Sequence, residues 1–134
     1  VLLGDHGGYR KSLEKVAARL NAEWARDPAA TRCRVHALAE YYRASQAGYA
    51  ELLAAKGPSA AEIGSHAGLA DTSLALAVDP SLVRLDKLQH GPKAGERDGV
   101  YGDPRRATAE LGQLGVDRIV AASVAAIRDR SGGR

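Results

Sequence analysis

Val1-Leu2-Leu3-Gly4-Asp5-His6-Gly7-Gly8-Tyr9, a helical pattern, and then Cys33-Arg34-Val35-His36-Ala37-Leu38 form the stretch that decides the fold. Val1 to Leu3 is short and apolar and reads as a buried strand that stops at Gly4. Asp5 to Gly8 is a tight polar turn. From Tyr9 to about Arg26 the apolar residues are Tyr9, Leu13, Val16, Ala17, Leu20 and Trp24. Steps of three and four mark one face of a helix. Asp27-Pro28 ends it, since proline cannot donate to the previous turn. Cys33 to Leu38 alternates apolar and polar side chains, as a half-buried strand does. Strand, turn, long helix and strand make a βαβ unit, whose crossover helix makes the sheet parallel. The expectation is an α/β fold with a mostly parallel sheet. Two strands are few for such a sheet, so others are expected upstream.

Further along the chain, Tyr42 to Lys56 is rich in Ala and Leu and closes at Gly57-Pro58, a helix stop. Ser59-Ala60-Ala61-Glu62 has the spacing of a capping box. Leu74 to Val78 fits helix or strand by periodicity, and alanine content favours helix. Residues 89–103 read as a long loop. Asp103-Pro104 fits an N-cap followed by proline at the first helical position. A last helix is expected from about Val116 to Arg130, with Asp117 in its first turn and Arg128 and Arg130 in its last, each favoured by the helix dipole.

The chain has 134 residues, 45% hydrophobic and 26% charged, with a formal net charge of +3. That length predicts a single domain over residues 1–134, and the balance excludes wholesale disorder. No apolar run approaches the roughly 20 residues of a membrane helix. Basic and acidic residues are interspersed, so neither a nucleic acid nor a membrane is the expected partner. Cys33 is the one cysteine, which excludes an intrachain disulfide and a sulfur-rich zinc site. Its lone thiol fits cytoplasm or periplasm. The chain has no methionine and opens inside an apparent strand. It is expected to be the C-terminal part of a longer protein, with a sheet edge left exposed.

In open α/β sheets ligands gather at the carboxyl ends of strands. Asp5 and His6 would stand there, with Gly7 and Gly8 letting the backbone come close to a ligand. Imidazole is a common ligand for zinc and related metals, but the segment also reads as a plain turn. His66 lies in a second glycine-bounded segment ahead of Asp71. A histidine with a carboxylate partner can work as a general acid or base near neutral pH. Five residues turn an ideal helix by about 500°, so the two would not share a helix face. His66 is therefore expected in the loop, with Asp71 about one turn inside the helix. A solvated histidine beside an N-cap is the bland alternative. His36 reads as a strand residue and His90 as a loop residue. Ser73 lacks the Gly-x-Ser-x-Gly elbow of serine hydrolases, and Gly4 to Gly8 is not a phosphate-binding or dinucleotide fingerprint.

Two segments carry a resemblance. Leu3-Gly4-Asp5-His6-Gly7-Gly8-Tyr9 resembles the Asn-Gly-His-Gly-Gly-Asn segment of the creatininase (creatinine amidohydrolase) family. His66-Ala67-Gly68-Leu69-Ala70-Asp71-Thr72-Ser73 resembles that family's His-Ala-Gly-x-x-Glu-Thr-Ser segment. Asp79-Pro80-x-Leu82-Val83 and the stretch Gly99 to Ala107 follow in the family's order. The resemblance covers essentially the whole chain. It implies a three-layer α/β/α sandwich, a homo-oligomer such as a hexamer, and a metal-dependent amidohydrolase acting on a small-molecule amide. The implied cofactor is a divalent metal, zinc or manganese, two per full-length protein, activating water. His6 then matches a metal ligand and His66 the histidine that passes a proton to the leaving nitrogen. Asp71 matches a glutamate beside that site, and Tyr42 a substrate-side tryptophan. Asp5 replaces a small residue and adds a substrate-side acceptor. The family's Glu-x-His pair and a further aspartate have no counterpart in this chain, and Gly8 stands where creatininase has a second carboxylate ligand. An alternative is therefore a binding or assembly module that has lost the metal site. A small anion-binding domain using the Gly7-Gly8 helix start is a third reading.

Overall fold

Helix dominates the computed structural model of this chain, which describes residues 1–30 and 32–132. The elements are α1 (Arg10–Trp24), α2 (Ala39–Arg43), α3 (Tyr49–Ala54), α4 (Ala60–Ile63), α5 (Leu69–Val78), α6 (Leu85–His90) and α7 (Ala109–Arg130). A π-helical turn (Ala44–Gly48) lies between α2 and α3, and short 3-10 turns fill several connections. The helical reading of residues 9–26, 42–56 and 74–78 holds to within a few residues, and the last helix starts seven residues earlier than its expected start at Val116.

The parallel-sheet expectation does not hold. No sheet forms among the described residues, so the three-layer α/β/α sandwich is corrected to a helical arrangement. What remains of the βαβ pattern is one parallel bridge, Leu2 to Ala37. There the Leu2 N–H donates to His36 O at 2.8 Å and the Leu38 N–H to Leu2 O at 3.1 Å. Two observations explain why it goes no further. Val1 and Leu3 are 60% and 51% exposed, so the first segment is not a buried strand. The Asn21 carboxamide, on α1, donates to Val35 O and accepts from Val35 N–H, both at 2.8 Å. A side chain thus takes the backbone groups a neighbouring strand would use.

The chain divides into two compact units. The first holds Val1–Arg43 and the part of α7 from Ala121 on. In it Ala17, Val35 and Leu38 are buried, and Arg130 donates to Glu40 at 2.9 Å. The Arg130 guanidinium holds the Glu40 carboxyl below its ordinary range.

The second unit is Ala44–Val120. Its core is Tyr49, Leu53, Ile63 and Leu69, with Leu74, Leu111 and Leu114 packed against it. The Tyr49 hydroxyl donates to Leu111 O at 3.1 Å, and burial pushes its pKa up to about 12. Gly112 and Gly115 let α7 approach α5 closely. A Cβ on Gly112 would lie 1.8 Å from Ser73 O, and one on Gly115 2.7 Å from Leu74.

Candidate functional site

In the second unit the site grows from a helix that stops after one turn. Ser59 accepts from the Glu62 N–H, and Glu62 accepts from the Ser59 N–H at 2.9 Å, so the expected capping box forms at the start of α4. Gly64 ends α4 at φ +70° and ψ −175°, a conformation open essentially to glycine alone. The chain then pairs with Tyr101. Tyr101 O accepts from the Ser65 N–H at 2.8 Å, and the Tyr101 N–H donates to His66 O at 2.8 Å. This antiparallel bridge fixes the backbone of His66 on both sides.

Three glycines let these segments touch. A Cβ on Gly64 would fall 2.0 Å from Tyr101 O, one on Gly102 2.7 Å from Gly68 Cα, and one on Gly68 2.5 Å from Ile63 O. Ala67 follows at φ +48°, a strained value for a residue with a side chain. Its N–H donates to Asp71 Oδ2 at 2.9 Å, and its carbonyl accepts from Thr72 Oγ1 at 3.4 Å. Asp71 sits in the first turn of α5 and steadies the residue next to His66. His66 itself is exposed, its ring edge-on to Tyr101 with centroids 6.0 Å apart. The loop position of His66 and the helical position of Asp71 match the expectation from spacing.

Beside this loop lies a cleft of about 550 Å³. Ala67, Asp71 and Thr72 form one wall, apolar side chains including Leu82, Val83 and Leu88 another, and Arg84, Lys87, Lys93 and Arg105 bring cations to it. Asp103 caps the following 3-10 turn, as Asp103-Pro104 suggested, and pairs with the Arg105 fork, with Lys93 at 3.6 Å. Those cations hold its carboxyl well below the usual carboxylate range.

The first unit carries the other expected residues. His6 is exposed at the start of a 3-10 turn, its ring edge-on to Tyr9 at 5.1 Å. A Cβ on Gly8 would lie 3.1 Å from His6 Nε2, so any side chain at position 8 would crowd that ring. Tyr42 sits under the Arg10 guanidinium, 5.5 Å from its ring centroid, and a Cβ on Gly7 would meet the Tyr42 hydroxyl at 2.9 Å. The Asp5 charge adds to the burial that raises the Tyr41 pKa. Asp5, His6 and Tyr42 are thus gathered around one turn. His66 and Asp71 belong to the other unit.

The sequence places Tyr101 and Gly102 in the Gly99–Ala107 stretch of the resemblance without giving them a role, and it singles out neither Arg84 nor Lys87. Tyr101 and Gly102 meet the His66 loop only through tertiary pairing, and a lone Arg or Lys reads as a solvated surface residue. His36 offers its carbonyl to Leu2 and His90 closes α6, and neither joins a cluster. Among the described residues no three His, Cys, Asp or Glu side chains gather closely enough to hold a metal ion. No helix among them is long and apolar enough to cross a membrane.

Compared with known proteins, residues 1–127 match the model of the creatininase family, described as creatinine amidohydrolase. No curated protein and no solved structure matches the chain.

Proposed function

Because this chain belongs to the creatininase family, a family of amidohydrolases, we propose that it hydrolyses a small-molecule amide or related C–N bond, with His66 moving the proton. The observation that carries this reading is the His66 loop. Gly64 and the Tyr101 bridge on one side, and the strained Ala67 held by the Asp71 carboxylate on the other, flank an exposed imidazole next to a cleft of ligand size. Strain kept by surrounding bonds is a common way of positioning a reacting group. In the reaction a water oxygen bonds to the carbonyl carbon while a proton of that water passes to His66. The C–N bond breaks, and His66 hands the proton to the departing nitrogen, giving a carboxylic acid and an amine. Asp71 positions His66 through the Ala67 N–H.

The family is generally metal-dependent. The described residues do not by themselves fit a metal centre, since no three candidate ligands gather. We propose the exposed His6 as a zinc or manganese ligand, on its match to the family's metal histidine alone. The same sparse ligand set supports a second reading, a binding or assembly module of the same lineage.

The test is turnover of His66→Ala and His66→Gln with simple and cyclic amides as substrates, beside metal content by mass spectrometry. The expected result is a fall in kcat of about 100-fold or more, with unchanged melting temperature and metal content. Retained turnover would remove His66 from the chemistry. No turnover and no metal in the wild type would leave the binding reading.

A further inference from the structure

We infer that the cleft beside the His66 loop binds a small organic carboxylate with an apolar body, which makes an amide bearing a carboxylate the substrate class. Calling this ligand a substrate rests on the hydrolase reading above, whereas the binding site itself does not.

Charges and their partners do not balance in this cleft. Four cations line it, Arg84, Lys87, Lys93 and Arg105, and two carboxylates, Asp71 and Asp103. Asp103 is taken by Arg105 and Lys93. Asp71 accepts from the Ala67 N–H, four residues back in its own loop. That leaves Arg84 and Lys87. Arg84 makes no ion pair among the described residues, and its guanidinium is a fork shaped for two carboxylate oxygens. Among the described residues Lys87 pairs only with Asp86, outside the cleft, at 3.9 Å with both side chains 72% exposed. A contact of that kind contributes little and yields readily to a better one.

The rest of the lining is mostly apolar, from Leu82 and Val83 ahead of α6 through Leu88 within it to Val100. A bare inorganic ion would leave that surface unused, and a neutral apolar molecule would leave two cations uncompensated. A carboxylate joined to an aliphatic body satisfies both. About 550 Å³ is within the usual range for a small-molecule site.

The probe is N-acetyl-leucine, with N-acetyl-leucinamide as its neutral counterpart, titrated into the full chain and followed by backbone amide NMR. The expected result is saturable shifts at residues 82–94 for the acid, and affinity at least about tenfold lower for the neutral amide. A similar loss is expected for the acid with the double variant Arg84→Gln/Lys87→Gln. The charge-matched control Lys56→Gln/Arg97→Gln, outside the cleft, should bind as wild type does. Equal binding of acid and amide would overturn the inference. So would an equal loss in the control, or no saturable shift by about 10 mM. Turnover of neutral amides with no preference for the acid would sink the substrate class and leave the hydrolase reading standing. Saturable carboxylate binding without turnover of any amide would sink the hydrolase reading, and the substrate class with it, and leave the carboxylate site standing.

Discussion

Gly64→Ala should collapse the arrangement that holds His66. Gly64 sits at φ +70° and ψ −175°, and placing a residue with a Cβ there costs about 1–3 kcal/mol. The new Cβ would also lie 2.0 Å from Tyr101 O, so that oxygen must retreat by about 1 Å to reach a tolerable 3.0 Å. The retreat breaks the Ser65–Tyr101 and Tyr101–His66 hydrogen bonds, both 2.8 Å long. Each is worth about 0.5–1.5 kcal/mol. The stiffer unfolded chain returns about 0.4–1 kcal/mol. The balance is a loss of about 1–6 kcal/mol, a sizeable share of the total stability of an ordinary domain. Urea unfolding followed by circular dichroism measures the loss, and amide exchange at Ser65 and Tyr101 locates it. The Ser65 and Tyr101 amides should exchange much faster than in the wild type even well below the unfolding transition. A loss under about 1 kcal/mol, with both amides still protected, would mean that Gly64 does not hold the bridge.

Two further outcomes test the frame around the loop. Gly112→Ala should destabilise the protein although alanine is the better helix former by about 1 kcal/mol. Its Cβ would meet Ser73 O at 1.8 Å, so the melting temperature should fall by about 5 °C or more. Gly95→Ala, which meets nothing within 4 Å, should change stability by less than about 0.5 kcal/mol, and equal effects at the two sites would discredit the close approach. Glu62 supplies a pH dependence. Hydrogen bonds from Ser59 and the Arg106 guanidinium lower its pKa from 4.5 to about 2. A depressed carboxyl stabilises the fold fully above its unfolded pKa, and that contribution is lost as pH falls from about 4.5 through about 2. Glu62→Gln should therefore give a shallower decline of melting temperature over that window. An acid limb as steep as the wild type's would place the dependence elsewhere.

How far the sequence reveals this fold depends on the range of the interactions involved. The apolar steps from Tyr9 to Trp24 report a helix because they act within one turn. Ser59 and Glu62 announce a capping box because both partners lie within three residues, and Asp103-Pro104 announces a cap for the same reason. The expected sheet fails over a distance of 14 residues, where Asn21 takes the Val35 backbone. Nothing in the alternation of Cys33 to Leu38 registers a competitor on the preceding helix. The exposed side chains of Val1 and Leu3 show the other half of the error, since an apolar triplet reads as buried only if a layer exists to bury it.

The candidate site divides in the same way. His66 and Asp71 are visible in the sequence because loop and helix N-terminus are local features, and the structure gives their spacing a specific use, the bond from the Ala67 N–H to Asp71. The reason His66 is held at all lies in residues 101 and 102, which meet the loop through Gly64 and Gly68. These glycines are there for close backbone approach. Close approach recurs in the first unit, where Gly7 lies against the Tyr42 hydroxyl and Gly8 against the His6 ring. In both units, then, glycines beside an exposed histidine stand where an added side chain would meet a neighbour, at 2.0 Å for Gly64 and 3.1 Å for Gly8. A functional test that mutates only the histidines asks whether the imidazole is used. One that also mutates Gly64 asks whether its placement matters, and the hydrolase reading requires both answers to be yes.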